Sequence, residues 1–163
     1  MSDKVVVNVT GNYVILNDLI QEPGKPDYYE PMPIKLDIEN DFTIDETNID
    51  GELCMASKRM VYYGNLSAEL EAQATRSKDR LDQYYSELAI KTRAAHAGGK
   101  LTEGGLKEII LTDPQYISMQ DKCTTDYMYQ KKVENFFKSQ QKRVDCILAL
   151  GYKQRAEIQK GMM

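Results

Sequence analysis

The sequence predicts a mainly helical protein in which two long helices pack in an antiparallel, coiled-coil-like arrangement, with a short connecting helix and a small N-terminal β hairpin. From Met60 to Leu88, apolar or small residues recur at alternating spacings of three and four, the heptad pattern of helices that pack against partner helices. Four of the five prolines lie between residues 21 and 33, and none lies between 50 and 113. The long central stretch can therefore be helical throughout.

The composition is that of a single soluble domain. The chain has 163 residues, of which 42% are hydrophobic and 28% charged. Three widely separated cysteines without ligand spacing are expected to be reduced thiols, as in a cytosol. No apolar run approaches the length of a bilayer span, and residues 5–7 are too short for a signal-peptide core. We therefore expect a cytoplasmic protein without membrane contact.

Residues 1–40 predict a small β element followed by a linker. Residues 5–9 and 13–16 are β-branched and apolar runs on either side of Thr10-Gly11-Asn12, which predicts a hairpin. The proline-rich residues 21–33 predict an extended linker without regular structure. Beyond them, alternation with polar residues predicts one further strand, containing Ile34, Leu36 and Ile38.

The first long helix is predicted from about Asp50 to about Ala95, and three residues are candidate N-caps: Asp45, Thr47 and Asp50. The heptad positions a hold Met60, Ser67, Ala74, Leu81 and Leu88, and the positions d hold Tyr63, Leu70, Ser77 and Tyr84. The small members of this seam would allow close approach of another backbone.

A glycine-rich link at residues 98–105 separates the two halves of the helical region. Residues 106–111 predict a short helix. Asp113 as N-cap with Pro114 at the first helical position predicts the start of the second long helix, and Gly151 predicts its end. One side of this helix is expected to be buried and carries Tyr116, Met119, Cys123, Tyr127, Val133, Phe137, Val144 and Ile147.

Charge is distributed unevenly between an N-terminal head and the helical body that follows it. Residues 1–50 hold three basic and eleven acidic side chains, whereas the remainder holds 18 basic and 14 acidic ones. We interpret residues 1–40 as an acidic N-terminal domain and residues 41–163 as a helical domain that oligomerises and binds a polyanion. The acidic head is expected to contact the basic body or a basic partner.

The sequence offers little material for an enzyme site. The one histidine, His96, adjoins the glycine-rich link and has no Cys, Asp or Glu at ligand spacing. Gly98-Gly99-Lys100 follows a helix, whereas a phosphate-binding loop would follow a strand. We therefore expect no catalytic residue, no metal and no cofactor.

Basic and aromatic side chains are concentrated in residues 77–86, a combination suited to single-stranded nucleic acid. Lys78 and Arg80 occupy positions e and g and thus flank the seam on opposite sides. The predicted nucleic-acid contacts are Lys78, Arg80, Arg76, Lys91 and Arg93. The alternative is that such residues only form ion pairs within the helix, namely Arg76–Asp79, Lys78–Asp82 and Glu87–Lys91.

Three segments of the chain resemble the UvsY family of tailed-phage recombination mediators. They are DFTIDETNI at residues 41–49, MVYY at 60–63 and, most specifically, KDRLDQYYS at 78–86, and the likeness continues loosely along the last helix. Gln83 looks like an extra residue before the tyrosine pair. Residues 1–40 have no counterpart in the family.

The resemblance implies a non-enzymatic recombination mediator. Proteins of this family form a homo-oligomeric ring, bind single-stranded DNA and help load a RecA-type recombinase onto strands covered by single-strand-binding protein. The family's basic pair falls on Lys78 and Arg80, and a phage origin would place the protein in the bacterial host cytoplasm. The alternative from the residues alone is a helical scaffold that binds other proteins and no nucleic acid.

Overall fold

The structure, a computed structural model, describes residues 13–20, 28–96, 99 and 101–161. These residues form a two-stranded antiparallel sheet and helices in the order β1, β2, α1, α2, α3, α4. The bounds are β1 Tyr13–Ile20, β2 Tyr28–Lys35, α1 Ile38–Phe42, α2 Ile49–Ala95, α3 Glu103–Leu111 and α4 Pro114–Gly161. The predicted fold class, two long packed helices with a short connecting helix and an N-terminal hairpin, is confirmed.

Contacts divide the chain into two compact units. Unit 1 comprises residues 1–68 and 132–163, and unit 2 comprises residues 69–131. Helices α2 and α4 contribute to both units, and in each unit their segments run antiparallel. In unit 1, a Cβ on Gly64 would lie 3.5 Å from the Phe137 ring, and one on Gly151 would lie 3.3 Å from Ile49. In unit 2, Gln73 contacts Asp126 and Tyr84 contacts Asp113.

The hairpin differs from the predicted one. Its strands are β1 and β2, with Val14 opposite Ile34 and Leu16 opposite Met32. The predicted strand at residues 5–9 and its turn lie outside the described residues, as do residues 21–27. The prediction of an unstructured linker up to residue 33 was wrong, because residues 28–33 belong to β2.

Two prolines are tolerated within β2 because of their spacing. Pro31 lies opposite Asn17 and Pro33 opposite Ile15. Residues two apart direct their backbone N–H groups to the same side of a strand, and in a two-stranded sheet one side of each strand has no partner strand. Both prolines can therefore lack an N–H group without removing a ladder hydrogen bond. From the sequence alone, these prolines indicate only an interruption of regular structure.

The strand predicted to include Leu36 and Ile38 ends earlier. Leu36 follows β2 and is almost completely buried, whereas Ile38 begins the short helix α1. The Asp37 carboxylate accepts hydrogen bonds from the backbone and side-chain amides of Asn40, which favours a helical turn over an extended chain. These hydrogen bonds also lower the pKa of the Asp37 carboxyl.

Helix α2 begins and ends close to the predicted bounds but with a different N-cap. The Asn48 side chain accepts a hydrogen bond from the Gly51 N–H at 3.1 Å. Asp45 instead closes the preceding turn by accepting from the backbone and hydroxyl groups of Thr47. The three predicted caps, Asp45, Thr47 and Asp50, were therefore wrong by one to three residues.

The buried face of α2 follows the heptad at positions d and departs from it at positions a. Tyr63 and Leu70 are buried, as predicted. At the positions a, however, the buried residues are Leu66 and Gln73, each one residue before the predicted Ser67 and Ala74, which are half-buried. Buried and half-buried residues recur along this face at steps of three and four. The buried ones are Ala56, Tyr63, Leu66, Leu70 and Gln73, and the half-buried ones are Arg59, Ser77 and Leu81. Two successive steps of four at the end of this face are a stutter in the heptad pattern.

Helices α3 and α4 begin at polar caps. Thr102 caps α3 by accepting from the Gly105 N–H, and Asp113 caps α4 by accepting from the Tyr116 N–H at 2.8 Å. The predicted start of α4 at Pro114 is thus confirmed, but its predicted end at Gly151 was wrong. Gly151 packs tightly against α2, and Gln154 beyond it donates to the Glu46 carbonyl at 2.8 Å. These two contacts stabilise the helix beyond residue 151. They outweigh the unfavourable helix propensity of one glycine, which costs about 1 kcal/mol relative to alanine.

Buried polar side chains join the segment before α2 to the helices of unit 1. Arg143, whose side chain is only 2% exposed, pairs with Glu52 and donates to the Thr43 carbonyl at 2.8 Å. Gln140, fully buried on α4, donates to the Asp41 carbonyl at 3.1 Å. A buried guanidinium needs such partners because desolvating an unpaired charge costs several kcal/mol.

The Asp41 carboxylate is a second anchor of the same segment. It pairs with Arg59 at 2.9 Å and accepts a hydrogen bond from the Tyr63 hydroxyl. Burial and this carboxylate raise the pKa of Tyr63, so its hydroxyl stays protonated. Phe136 packs against both Tyr63 and Phe42, with ring centroids 4.6 and 5.1 Å apart. Asp41 and its partners Arg59 and Tyr63 all belong to the predicted helical domain, so the expected contact between residues 1–40 and the basic body stays a prediction.

We predict that Glu52→Gln lowers the free energy of unfolding by about 3 kcal/mol at pH 7, because it leaves the buried Arg143 without a counter-charge. The hydrogen bond from Arg143 lowers the pKa of Glu52 in the folded state. Its contribution is therefore complete above the unfolded pKa of about 4.3 and is lost as the pH falls through the lower, folded value. Urea unfolding at pH 7 and pH 3 measures this difference.

The control is Glu157→Gln, which removes an exposed ion pair with Lys153 and should change stability by less than about 0.5 kcal/mol. A gap between wild type and Glu52→Gln that is equally large at both pH values would contradict the role assigned to the Glu52 carboxylate.

Candidate nucleic-acid interface

The five cations predicted to contact nucleic acid all lie on α2 within unit 2, and all are exposed: Arg76, Lys78, Arg80, Lys91 and Arg93. Successive residues of an α-helix are rotated by about 100°. Lys78 and Arg80 therefore point to nearly opposite sides, whereas Arg76 and Arg80, four residues apart, share a side. The helix does not bring the predicted residues onto one face, in agreement with their e and g positions.

The ion pairs considered as the alternative are not formed among the described residues. Arg76, Lys78 and Lys91 have no ion pair there, and Glu87 instead accepts a hydrogen bond from Gln83 at 2.9 Å. Arg93 does form one, with Glu103 of α3 at 2.8 Å. Both members of that pair are well exposed, so water and salt screen it and it contributes at most about 1 kcal/mol.

A groove of about 490 Å³ opens on the Lys78 side of α2, between this helix and α4. The α2 wall consists of Glu71, Ala74, Thr75 and Lys78, and the α4 wall consists of Cys123, Thr124, Tyr127, Gln130 and Lys131. The groove combines two lysines, one aromatic ring and several neutral hydrogen-bonding side chains. Glu71 is the one carboxylate in its lining.

Tyr127 is 54% exposed in this groove, although sequence analysis placed it on the buried side of α4. The neighbouring Asp126 takes the buried position instead. Asp126 is 4% exposed, and its carboxylate accepts hydrogen bonds from Gln73, at 2.6 Å, and from Ser77. Two neutral donors on α2 thus replace the water that this carboxylate loses on burial.

The basic side chain of Lys131 lies beside the exposed tyrosine. Its Nζ is 5.6 Å from the centroid of the Tyr127 ring, within the range of a cation–π interaction. Lys131 and Tyr127 are four residues apart on one helix and therefore share a face. Lys131 is not among the five cations that the sequence predicted to contact nucleic acid.

Tyr84 and Tyr85, the tyrosine pair of residues 78–86, both make contacts within unit 2. The Tyr84 hydroxyl contacts Asp113 and Gln115 at 3.1 and 3.3 Å, and burial together with Asp113 raises its pKa. Tyr85 packs against Tyr116, with ring centroids 6.0 Å apart. Tyr85 also borders the hydrophobic cluster that joins α2 to α3, formed by Ala89, Leu106 and Ile110.

Cys123 lies at the floor of the groove as a free thiol. Burial raises the pKa of this thiol, and the carboxylates of Asp126 and Asp82 act in the same direction, whereas Lys78 opposes them. The thiol is therefore protonated at neutral pH and is a weak nucleophile. All three cysteines of the chain are free.

One signal in the sequence could have identified the groove. The residues of α4 that are buried or half-buried recur at steps of four and three: Met119, Cys123, Asp126, Gln130 and Val133. This frame leaves Tyr127 outside the seam and includes an aspartate. Tyrosine is more apolar than aspartate, so the sequence alone favours a buried Tyr127 and an exposed Asp126. The hydrogen bonds from Gln73 and Ser77 of α2 to Asp126 reverse this assignment.

No family model, no curated protein and no solved structure matches this chain. Among the described residues there is no group of three or more His, Cys, Asp or Glu side chains that could hold a metal ion. In the same part of the chain, none of the helices has the length and apolar character needed to cross a bilayer.

We predict that Tyr84→Phe lowers the free energy of unfolding measurably more than a change at an exposed tyrosine, because it removes the hydrogen bonds to Asp113 and Gln115 while keeping the ring. Tyr152→Phe is the matched control, since Tyr152 is 69% exposed. Chemical denaturation of both variants measures the difference. Equal effects at the two positions would show that the Tyr84 hydroxyl has no structural role.

Proposed function

We propose that this chain is a non-enzymatic recombination mediator that binds single-stranded DNA and helps load a RecA-type recombinase onto strands covered by single-strand-binding protein. The observation that carries the proposal is the groove of unit 2, where Lys78 and Lys131 stand beside the exposed ring of Tyr127. Cations for phosphates and an aromatic face for bases are the two elements of sequence-independent binding to single strands.

The likeness of residues 78–86 to the UvsY family points to the same function. It also suggests a homo-oligomeric ring as the assembly and the cytoplasm of a bacterial host as the location. Unit 2 exposes several large aliphatic side chains that would suit contacts between copies or with the recombinase: Ile90, Ile109, Leu111 and Ile117.

The test is binding to a labelled single strand at low and high salt, with duplex DNA as competitor. We expect binding to the single strand that weakens steeply as salt rises, because each neutralised phosphate releases counterions. A second measurement follows the assembly of a RecA-type recombinase on strands already covered by single-strand-binding protein, which the chain should accelerate. Absence of salt-sensitive binding would favour the alternative of a helical scaffold.

We predict that replacing both Lys78 and Arg80 with alanine weakens binding to all single strands about equally. The slope of log affinity against log salt should become less steep by up to about 1.4, since each phosphate contact with a single strand contributes about 0.7. A titration over several salt concentrations measures the slope.

The chain offers a matched control with the same spacing. Lys153 and Arg155 are exposed on α4 in unit 1, again as a lysine and an arginine two residues apart. Replacing this pair with alanine removes the same net charge and should leave the slope unchanged. If both double variants change the slope equally, net charge accounts for binding and the site in unit 2 is wrong.

A further inference from the structure

The exposure of Tyr127 has a structural cause. Its neighbour Asp126 is held in the helix interface by Gln73 and Ser77, so that the next residue on α4 must turn toward the groove. Tyr127 itself is 54% exposed. The ring is thus presented to the groove by the same contacts that hold the helices of unit 2 together.

The two lysines are placed to bind a strand that runs along this ring. Lys78 contributes from α2 and Lys131 from α4, and the Lys131 Nζ lies 5.6 Å from the Tyr127 centroid. An ammonium beside a ring attracts phosphate at the edge of a stacked base, as in sites for single strands. The cations of the groove thus belong to two helices, and only Lys78 was predicted.

The size and polarity of the groove fit a nucleotide. Its volume of about 490 Å³ lies within the range of about 300–1,000 Å³ that is typical of small-ligand sites. The hydroxyls of Thr75 and Thr124 line it and donate to the backbone carbonyls of Glu71 and Gln120, which leaves their oxygens as acceptors that do not select one base. Such a lining provides little discrimination between bases, as a mediator that acts on any sequence requires.

We propose that this groove is a base-stacking subsite for single-stranded DNA, in which Tyr127 stacks on a base while Lys78 and Lys131 contact the adjoining phosphates. The subsite rests on the proposed function and assigns the stacking role to Tyr127 instead of Tyr84 and Tyr85. The latter two are engaged with Asp113, Gln115 and Tyr116 inside unit 2.

The first experiment compares oligo(dT) with an abasic strand of the same length. Stacking on an aromatic side chain corresponds to about 5- to 150-fold in affinity per base. Tyr127→Ala should therefore weaken binding to oligo(dT) by at least about fivefold and leave binding to the abasic strand unchanged. Lys78→Ala should weaken binding to both strands, because both carry phosphates.

Glu71 provides a test in the opposite direction. It is the carboxylate of the groove lining, and a phosphate bound between the two lysines would be repelled by it. Glu71→Gln should tighten binding to both strands, because it removes the repulsion between this carboxylate and the bound phosphate. Weaker binding of Glu71→Gln to both strands would contradict the placement of phosphate in this groove.

The second experiment uses fluorescence. The chain contains no tryptophan, so Tyr127→Trp introduces a single reporter. Its emission should be quenched by oligo(dT), through stacking, and not by the abasic strand. Tyr152→Trp, at an exposed position of unit 1, is the control and should be quenched by neither. Circular dichroism checks that each variant retains its helices.

The outcomes separate the subsite from the proposed function. If wild type binds oligo(dT) and Tyr127→Ala binds it equally well, the stacking subsite is wrong and the mediator proposal stands. If wild type binds neither strand, both proposals fail. If the emission of Tyr127→Trp is already shifted to the blue without DNA and depends on protein concentration, a second copy of the chain covers the groove and the subsite is wrong.

Discussion

The burial of the Asp126 carboxylate is the constraint on which unit 2 depends. Asp126 is only 4% exposed, so its carboxylate requires hydrogen-bond donors, and α2 supplies them from Gln73 and Ser77. Apolar seams tolerate sliding of one helix along another, whereas a buried polar group with fixed partners selects one register. In this register Tyr127 faces the groove next to Lys78, so a structural contact determines the chemistry of the candidate site.

Unit 1 also buries a charged side chain, in this case a cation. Arg143 is buried on α4 and is matched by Glu52 of α2 and by the Thr43 carbonyl. Its partners include the segment before α2, which is also held by Gln140 through the Asp41 carbonyl. The carboxylates of Asp41 and Glu52 are thus used within unit 1 to pair with Arg59 and Arg143. Unit 2 holds nine basic and ten acidic side chains, so a polyanion would bind there through the local placement of cations and not through a positive net charge.

The sequence predicted what depends on local signals. The heptad spacing predicted the first long helix, and the Asp113-Pro114 pair predicted the start of the second, α4. It could not predict features that depend on partners distant in the chain. Gly151 is a helix terminator by propensity, but its contact with Ile49 keeps it helical. Pro31 disfavours a strand, but the open side of a two-stranded sheet accepts it. Lys78 was found from composition, whereas Tyr127 and Lys131 required the register.

Photocrosslinking tests the central claim most directly. A single strand with 5-iodouracil, bound to the wild-type chain and irradiated, forms covalent adducts with aromatic side chains that lie against its bases. Digestion after lysine and arginine releases residues 123–131, and mass spectrometry then locates the modified residue. The groove described for unit 2 predicts that Tyr127 carries the main adduct. Adducts concentrated on Tyr84 and Tyr85, with Tyr127 unmodified, would contradict it.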